Sequence, residues 1–208
     1  MLLKSPAIFG SPKSVIMDPI HGGIEIFDHE IRIIDHPLFL RLRHIKQNDI
    51  LQYVFSGATH TRFEHSIGVM HVASHFFQNM LRNCLANGSK TIMDENEMRA
   101  IQYLYGCLRI AALLHDLGHM PFSHLFERSD IGKKLFNDKE IISGIWDGTP
   151  TEYMNAIPTK LEHEHLSIRY AIIVLESIKD NTDFPIEISN VIGMMENGSS
   201  KYSSKFIE

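Results

Sequence analysis

The stretch that decides the fold runs Ala111-Ala112-Leu113-Leu114-His115-Asp116-Leu117-Gly118-His119-Met120-Pro121-Phe122-Ser123-His124. Leu104, Leu108, Ala111 and His115 follow helical spacing, so His115 emerges from an apolar stripe, and Gly118 then stops the helix. Cys107 to Leu114 is apolar on every side except Arg109, the pattern of a central buried helix. A carboxylate at a helix C-terminus opposes the macrodipole. Burying Asp116 there therefore requires a strong cationic partner, and a metal ion is the natural one. Taken alone, such a pair also reads as a surface Asp beside a hydrogen-bonded core His. His119 and His124 change the reading, because four titratable groups within ten residues are not ordinary core.

Working outward, His65 shares helical spacing with Val69, Val72 and Phe76, so a second imidazole projects from an apolar face. Imidazole and carboxylate donors held on facing helices, with positions left for water and substrate, are how helical proteins build metal sites. His71 and His75 read as polar-face or packing residues, and His163-Glu164-His165 is ambiguous by itself.

The flanking sequence predicts a mainly α fold with a small N-terminal β hairpin. Val15-Ile16 and Ile24-Glu25-Ile26 flank a turn at His21-Gly22-Gly23, giving an N-terminal arm over 1–28 and a helical domain over 29–208. Pro37 opens a helix with Leu38, Leu42 and Ile45 inward. A long helix from about Thr61 to Leu85 carries Phe63, Ile67, Met70 and Phe77 on one side. Val69, Val72, Ala73, Phe76 and Met80 form a neighbouring stripe, and Asn87-Gly88-Ser89 ends the helix. Asp94 with Glu97 starts the next one, running to about Leu117. Residues 129–158 read as a loop with one short helix, and Thr159 with Glu162 as the cap of a helix through His163 to Ile178. The tail after Asn197 is polar.

Composition sets the outer bounds. The 208 residues suffice for one domain with a real core. Lys and Arg number 20 against 25 Asp and Glu, and the net charge of -5 argues against a protein that coats nucleic acid. Cys84 and Cys107 lie in helical patterns without a C-x-x-C and read as reduced core thiols of a cytoplasmic protein. No apolar run is long enough for a bilayer, and the N-terminus carries no signal-peptide h-region, so no membrane partner is expected.

Several long motifs then occur in order: Asp18-Pro19-Ile20-His21-Gly22, Arg41-Leu42-Arg43 with Ile45-Lys46-Gln47, Gly57-Ala58-Thr59-His60-Thr61-Arg62-Phe63-Glu64-His65-Ser66-Ile67-Gly68-Val69, and the opening stretch. Together, over roughly residues 14 to 178, they resemble the HD-domain phosphohydrolases. More narrowly, they resemble the deoxynucleoside triphosphate triphosphohydrolase branch that includes the SAM-and-HD-domain enzymes. The resemblance implies a helical HD fold and metal-assisted hydrolysis of a nucleotide substrate at its α-phosphorus, giving a nucleoside and inorganic triphosphate. It implies His65, His115 and Asp116 as ligands of a divalent metal, with Fe, Mn, Zn, Ni and Mg all compatible. Arg62 would contact phosphate, and His119, His124 and His163 would surround the scissile group with Glu127 as acidic partner. Gln47 matches a contact to the sugar hydroxyl, whereas Asn48 stands where the family commonly has an apolar residue.

The family's fourth ligand is an Asp in an acidic, aromatic segment beyond the helix of His163. Asp180 and Asp183 lack that context, so the expectation is a chain truncated at its C-terminus relative to the family and nearly inactive alone. Asp35 and Arg43 match positions that bind a guanine-nucleotide activator between subunits, implying a homo-oligomer, although Leu40 and Ser14 depart from that pattern. Two alternatives stay open: another HD nucleotide phosphatase or cyclic-nucleotide phosphodiesterase, and a non-catalytic nucleotide-binding assembly protein. The long motif from Asp18 to Gln47 argues against the first, because a minimal HD domain need not contain it.

Overall fold

The structure is a computed structural model and describes residues 11–87, 94–153 and 158–196. The chain opens with an antiparallel hairpin of β1 (Ser14–Asp18) and β2 (Gly22–Ile26), in which Ser14 faces Ile26 and Asp18 faces Gly22. The Asp18 carboxylate closes the turn by accepting the Ile20 and His21 N–H groups, each at 2.8 Å, and Gly22 takes the left-handed φ of 74° that a side chain would resist. Alternation sends Ile24 and Ile26 inward, so the hairpin shares the main core with Ile33, Phe39 and Leu42.

Helices follow: α1 (Asp28–Ile34), α2 (Pro37–Leu40) running into a 3-10 turn (Arg41–His44), α3 (Arg62–Asn87) and α4 (Glu95–Leu114). Pro37 takes the first helical position, and the His36 ring caps it by accepting the Leu38 N–H at 3.2 Å. The Asp94–Glu97 capping box forms reciprocally, with both bonds 2.9 Å long. After α4 come α5 (Ser123–Arg128), α6 (Asp130–Asn137), α7 (Lys139–Trp146), α8 (His163–Ile178) and α9 (Ile188–Met195).

The central helix is α4, which packs against both α3 and α9, with α9 also against α8. Cys107, Ile110, Leu113 and Leu114 are fully buried along it, and each such aliphatic side chain contributes about 1.5–3 kcal/mol. Arg109, the one charge in this run, forms a bidentate pair with buried Glu30 of α1, at 2.6 and 2.8 Å. It also donates to Ser74 Oγ at 2.8 Å and to the Glu25 carbonyl at 2.9 Å, locking hairpin, α1, α3 and α4 together.

Several expectations need correction. The stretch 129–158 holds α6 and α7 rather than a loop with one helix, because Ser129 and Asp138 act as N-caps instead of turn residues. Helix α8 starts from Glu162, whose box partner is His165, so Thr159 is not its cap. Helix α4 stops at Leu114 rather than about Leu117. Cys84 is exposed, so only Cys107 is a core thiol. The second stripe of α3 is largely uncovered, with Phe76 70% and Val72 52% exposed. The expected helix end at Gly88-Ser89 and the tail after Asn197 lie outside the described residues. Among the described residues, no helix is long and apolar enough to cross a membrane.

Candidate metal centre

His115 is the C-cap of α4, so the helix delivers it and Asp116 to the end of the buried core. The turn that follows is fixed from three sides. Arg41 donates to the Leu117 carbonyl and, at 2.7 Å, to the His119 carbonyl, two acceptors of the turn beyond the helix. The Gly118 N–H donates to buried Ser167 Oγ of α8 at 2.8 Å. A Cβ on Gly118 would overlap the His163 carbonyl and the Ser167 nitrogen, so only glycine allows α8 this close. Phe122 and Ser123 then both adopt left-handed backbone, φ 63° and 43°, an uncommon pair for residues other than glycine or asparagine.

At the other wall, the Lys46–Thr61 bridge and the Arg62 N–H bond to the Ile45 carbonyl (2.8 Å) launch α3, and Arg62 and His65 occupy its first turn. His65, His115 and Asp116 converge, with one ligand atom of each lying within 4.8 Å of the others. His65 Nε2 is 3.5 Å and His115 Nε2 3.3 Å from the Asp116 carboxylate. His115 Nδ1 can only donate to the Ala112 carbonyl, at 2.8 Å, which leaves Nε2 to face Asp116.

Asp116 is buried, and Arg62 pairs directly with it while donating from Nε to Ser123 Oγ at 3.0 Å. The cationic partner demanded by this buried carboxylate is thus already an arginine of the chain. Burial favours the neutral acid, but the hydrogen bond with His119 and the charges of His115 and Arg62 outweigh it. They hold the Asp116 carboxyl well below the usual range. Burial in turn pushes His65 and His119 below the ordinary histidine value, against the pull of Asp116.

A second trio adjoins the first. His119, His124 and His163 also bring one ligand atom each within 4.8 Å of one another, and His119 Nε2 lies 3.4 Å from Asp116. His119 stacks on His163 with centroids 3.9 Å apart, and His124 stands edge-on to both, at 5.1 and 5.0 Å. Glu127 ties this trio together, meeting His124 Nδ1 at 3.2 Å and His163 Nδ1 at 3.1 Å, so both Nε2 atoms are turned away from it.

The other expected residues lie elsewhere. Gln47 hangs from the His60 carbonyl by its N–H (3.1 Å), and its buried side-chain oxygen has no hydrogen-bond partner among the described residues. Asp35 caps α1 at the rim of a cavity of about 540 Å³ lined also by Arg32, His36 and Asn181. Arg43 is absent from that lining, and its guanidinium lies 3.6 Å over the Phe63 ring. Arg41, Ser123 and Ser167 do positioning work that no pattern announced, since their partners stand 49 to 78 residues away. A groove of about 820 Å³ opens beside His65, between Val69, Val72, Phe76 and the hairpin turn.

Comparison with known proteins places these observations in a group. The HD domain family model matches residues 62–192. The deoxynucleoside triphosphate triphosphohydrolase SAMHD1 of Gallus gallus is 36% identical over 176 residues, which is 83% of this chain and 26% of that protein. The Homo sapiens protein of the same name is 47% identical over 113 residues, 54% of this chain and 16% of that one. A homolog from Dictyostelium discoideum is 41% identical over 121 residues, covering 57% and 21%. The chain thus spans about a quarter or less of the curated relatives it matches.

Proposed function

The chain belongs to the HD domain family, and on that footing we propose that it is a metal-dependent phosphohydrolase acting on deoxynucleoside triphosphates, releasing deoxynucleoside and inorganic triphosphate. The observation that carries the reading is the apposition of two trios, His65/His115/Asp116 and His119/His124/His163, on either side of one buried carboxylate. Two imidazoles and a carboxylate fit Fe, Mn, Zn, Ni or Mg, and the His115 bond to Ala112 presents its Nε2 for ligation. A divalent ion there supplies Lewis-acid polarisation and lowers the pKa of water to about 7.

The chain's own residues do the rest. Asp116 orients His119, and Glu127 orients His124 and His163 through their Nδ1 atoms. That leaves the His124 Nε2 atom turned towards the phosphoryl group and the leaving oxygen, whereas His163 Nε2 lies 3.2 Å from Glu164 Oε1 and exchanges that carboxylate for substrate. His124, whose side chain is 52% exposed, can exchange its proton with solvent between turnovers, so it is assigned as the general acid towards the 5′-oxygen. Arg62 balances Asp116 and also offers charge to a bound phosphate, and Gln47 brings an uncommitted amide for the sugar.

Product analysis of the intact protein with each dNTP and a divalent metal is the test. Deoxynucleoside with triphosphate supports the assignment, whereas pyrophosphate with a monophosphate, or no turnover, refutes it. The resemblance adds a guanine-nucleotide activator at Asp35 and Arg43. Within one chain those residues do not face a common cavity, so this regulation requires assembly of a homo-oligomer. GTP should then increase the sedimentation coefficient and the rate, and Asp35→Ala should abolish both effects.

A further inference from the structure

Away from this centre, three imidazoles gather where the hairpin turn meets α3. His71 and His75 stand four residues apart on α3 with ring centroids 4.4 Å apart, and His21 of the turn is 5.0 Å from His71. Unlike the two trios of the candidate centre, these rings are close without yet bringing one ligand atom each within 4.8 Å of the others. The turn is seated by Gly68, where a Cβ would meet His21 Nε2 at 3.4 Å. Asp18 stands at the start of the same turn. Its Oδ1 accepts the Ile20 and His21 N–H groups, while Oδ2 has no hydrogen bond among the described residues.

We propose that His71, His75 and His21, with Asp18 completing the set, form a second divalent-cation site that takes a late transition ion such as Zn²⁺ and fastens the hairpin to α3. Two histidines at i and i+4 project from one helix face, the spacing by which a helix chelates a metal. Three imidazoles with one carboxylate suit Zn²⁺, Ni²⁺, Co²⁺ or Cu²⁺ rather than Ca²⁺ or Mg²⁺, which take oxygen ligands. The rings now pack against one another, and ligation asks for rotation of side chains on the surface. His75 is exposed and His71 half-buried, so that rotation displaces no core. Arg109, whose charge reaches His71, is itself paired with Glu30 by a bidentate bond.

The test is a Zn²⁺ titration of the whole chain by equilibrium dialysis, with circular dichroism to confirm folding of each variant. The His71→Asn/His75→Asn protein should bind one Zn²⁺ equivalent fewer than wild type, while His115→Ala keeps that equivalent. His21→Asn should weaken it by more than the roughly 10–100-fold that loss of an outer-sphere partner brings. Zn²⁺ should also raise the unfolding midpoint of His115→Ala, and adding His71→Asn/His75→Asn should remove that rise. Equal stoichiometry in wild type and the double variant overturns the site. Undiminished affinity in His21→Asn overturns the participation of the hairpin.

Discussion

Replacing Arg109 by leucine should be among the most damaging single changes in this protein. Glu30 has no exposed surface and Arg109 is 4% exposed, so neither charge has water to fall back on. Arg109→Leu leaves the carboxylate with the Phe27 N–H at 2.9 Å and the His29 ring at 3.9 Å. Glu30→Leu leaves the guanidinium with Ser74 and the Glu25 carbonyl. Stranding one member of a buried pair costs about 3–5 kcal/mol, against a total domain stability of about 5–15 kcal/mol. In the double variant no charge is stranded. Ser74 keeps its 2.7 Å bond to the Met70 carbonyl, and the main loss is the cap at Phe27, about 1 kcal/mol. Urea unfolding followed by circular dichroism measures this. At a slope of about 2 kcal/mol/M, each single change should lower the midpoint by about 1.5–2.5 M, and the double change by well under 1 M. Singles costing under about 1 kcal/mol, or a double equal to their sum, would refute the reasoning.

Three further outcomes are expected. Gly118→Ala forces a methyl into the backbone of α8, so it should destabilise by about 3 kcal/mol or more and lower Tm by about 6–12 °C, whereas an unchanged Tm means that α8 is not held there. Burial, then the Arg109 charge, depresses the His29 pKa against Glu30 and Asp28, so the unfolded chain takes up this proton first. The stability tied to a neutral His29 is therefore present above about 6.5 and lost as pH falls towards the folded pKa; urea midpoints between pH 5 and 8 should show a shallower acid slope in His29→Phe, and identical slopes exclude the assignment. If the proposed activity holds, His124→Ala in the intact protein should lower turnover by about 10²–10⁴-fold with KM little changed, and a change confined to KM would remove it as the acid.

The helices that carry the site were legible because they obey local rules. Apolar spacing marked α3 and α4, Asp94 and Glu97 marked a boundary, and Pro37 marked another. His65 and His115 stood out as polar residues on apolar faces. What stayed hidden was either ambiguous chemistry or long range. Ser129 and Asp138 are equally good turn residues and helix caps, and only the helices behind them decide which. The left-handed Phe122 and Ser123 are not residue types that announce such a backbone. Arg109 was visible as the one charge in an apolar run, but its partner Glu30 is 79 residues away, beyond any periodicity. The same holds for the pairing of Arg62 with Asp116, 54 residues away.

That last pairing bears on how the protein matures in a cell. Structural zinc domains commonly have no folded state until the ion arrives, so their synthesis is hostage to metal supply. Here Arg62 compensates Asp116 as soon as α3 meets the end of α4, and the centre can close without waiting for an ion. Folding is therefore expected to precede metallation and not to depend on it. Under metal starvation the polypeptide should accumulate at normal abundance, idle and protease-resistant, and become competent on resupply without new translation.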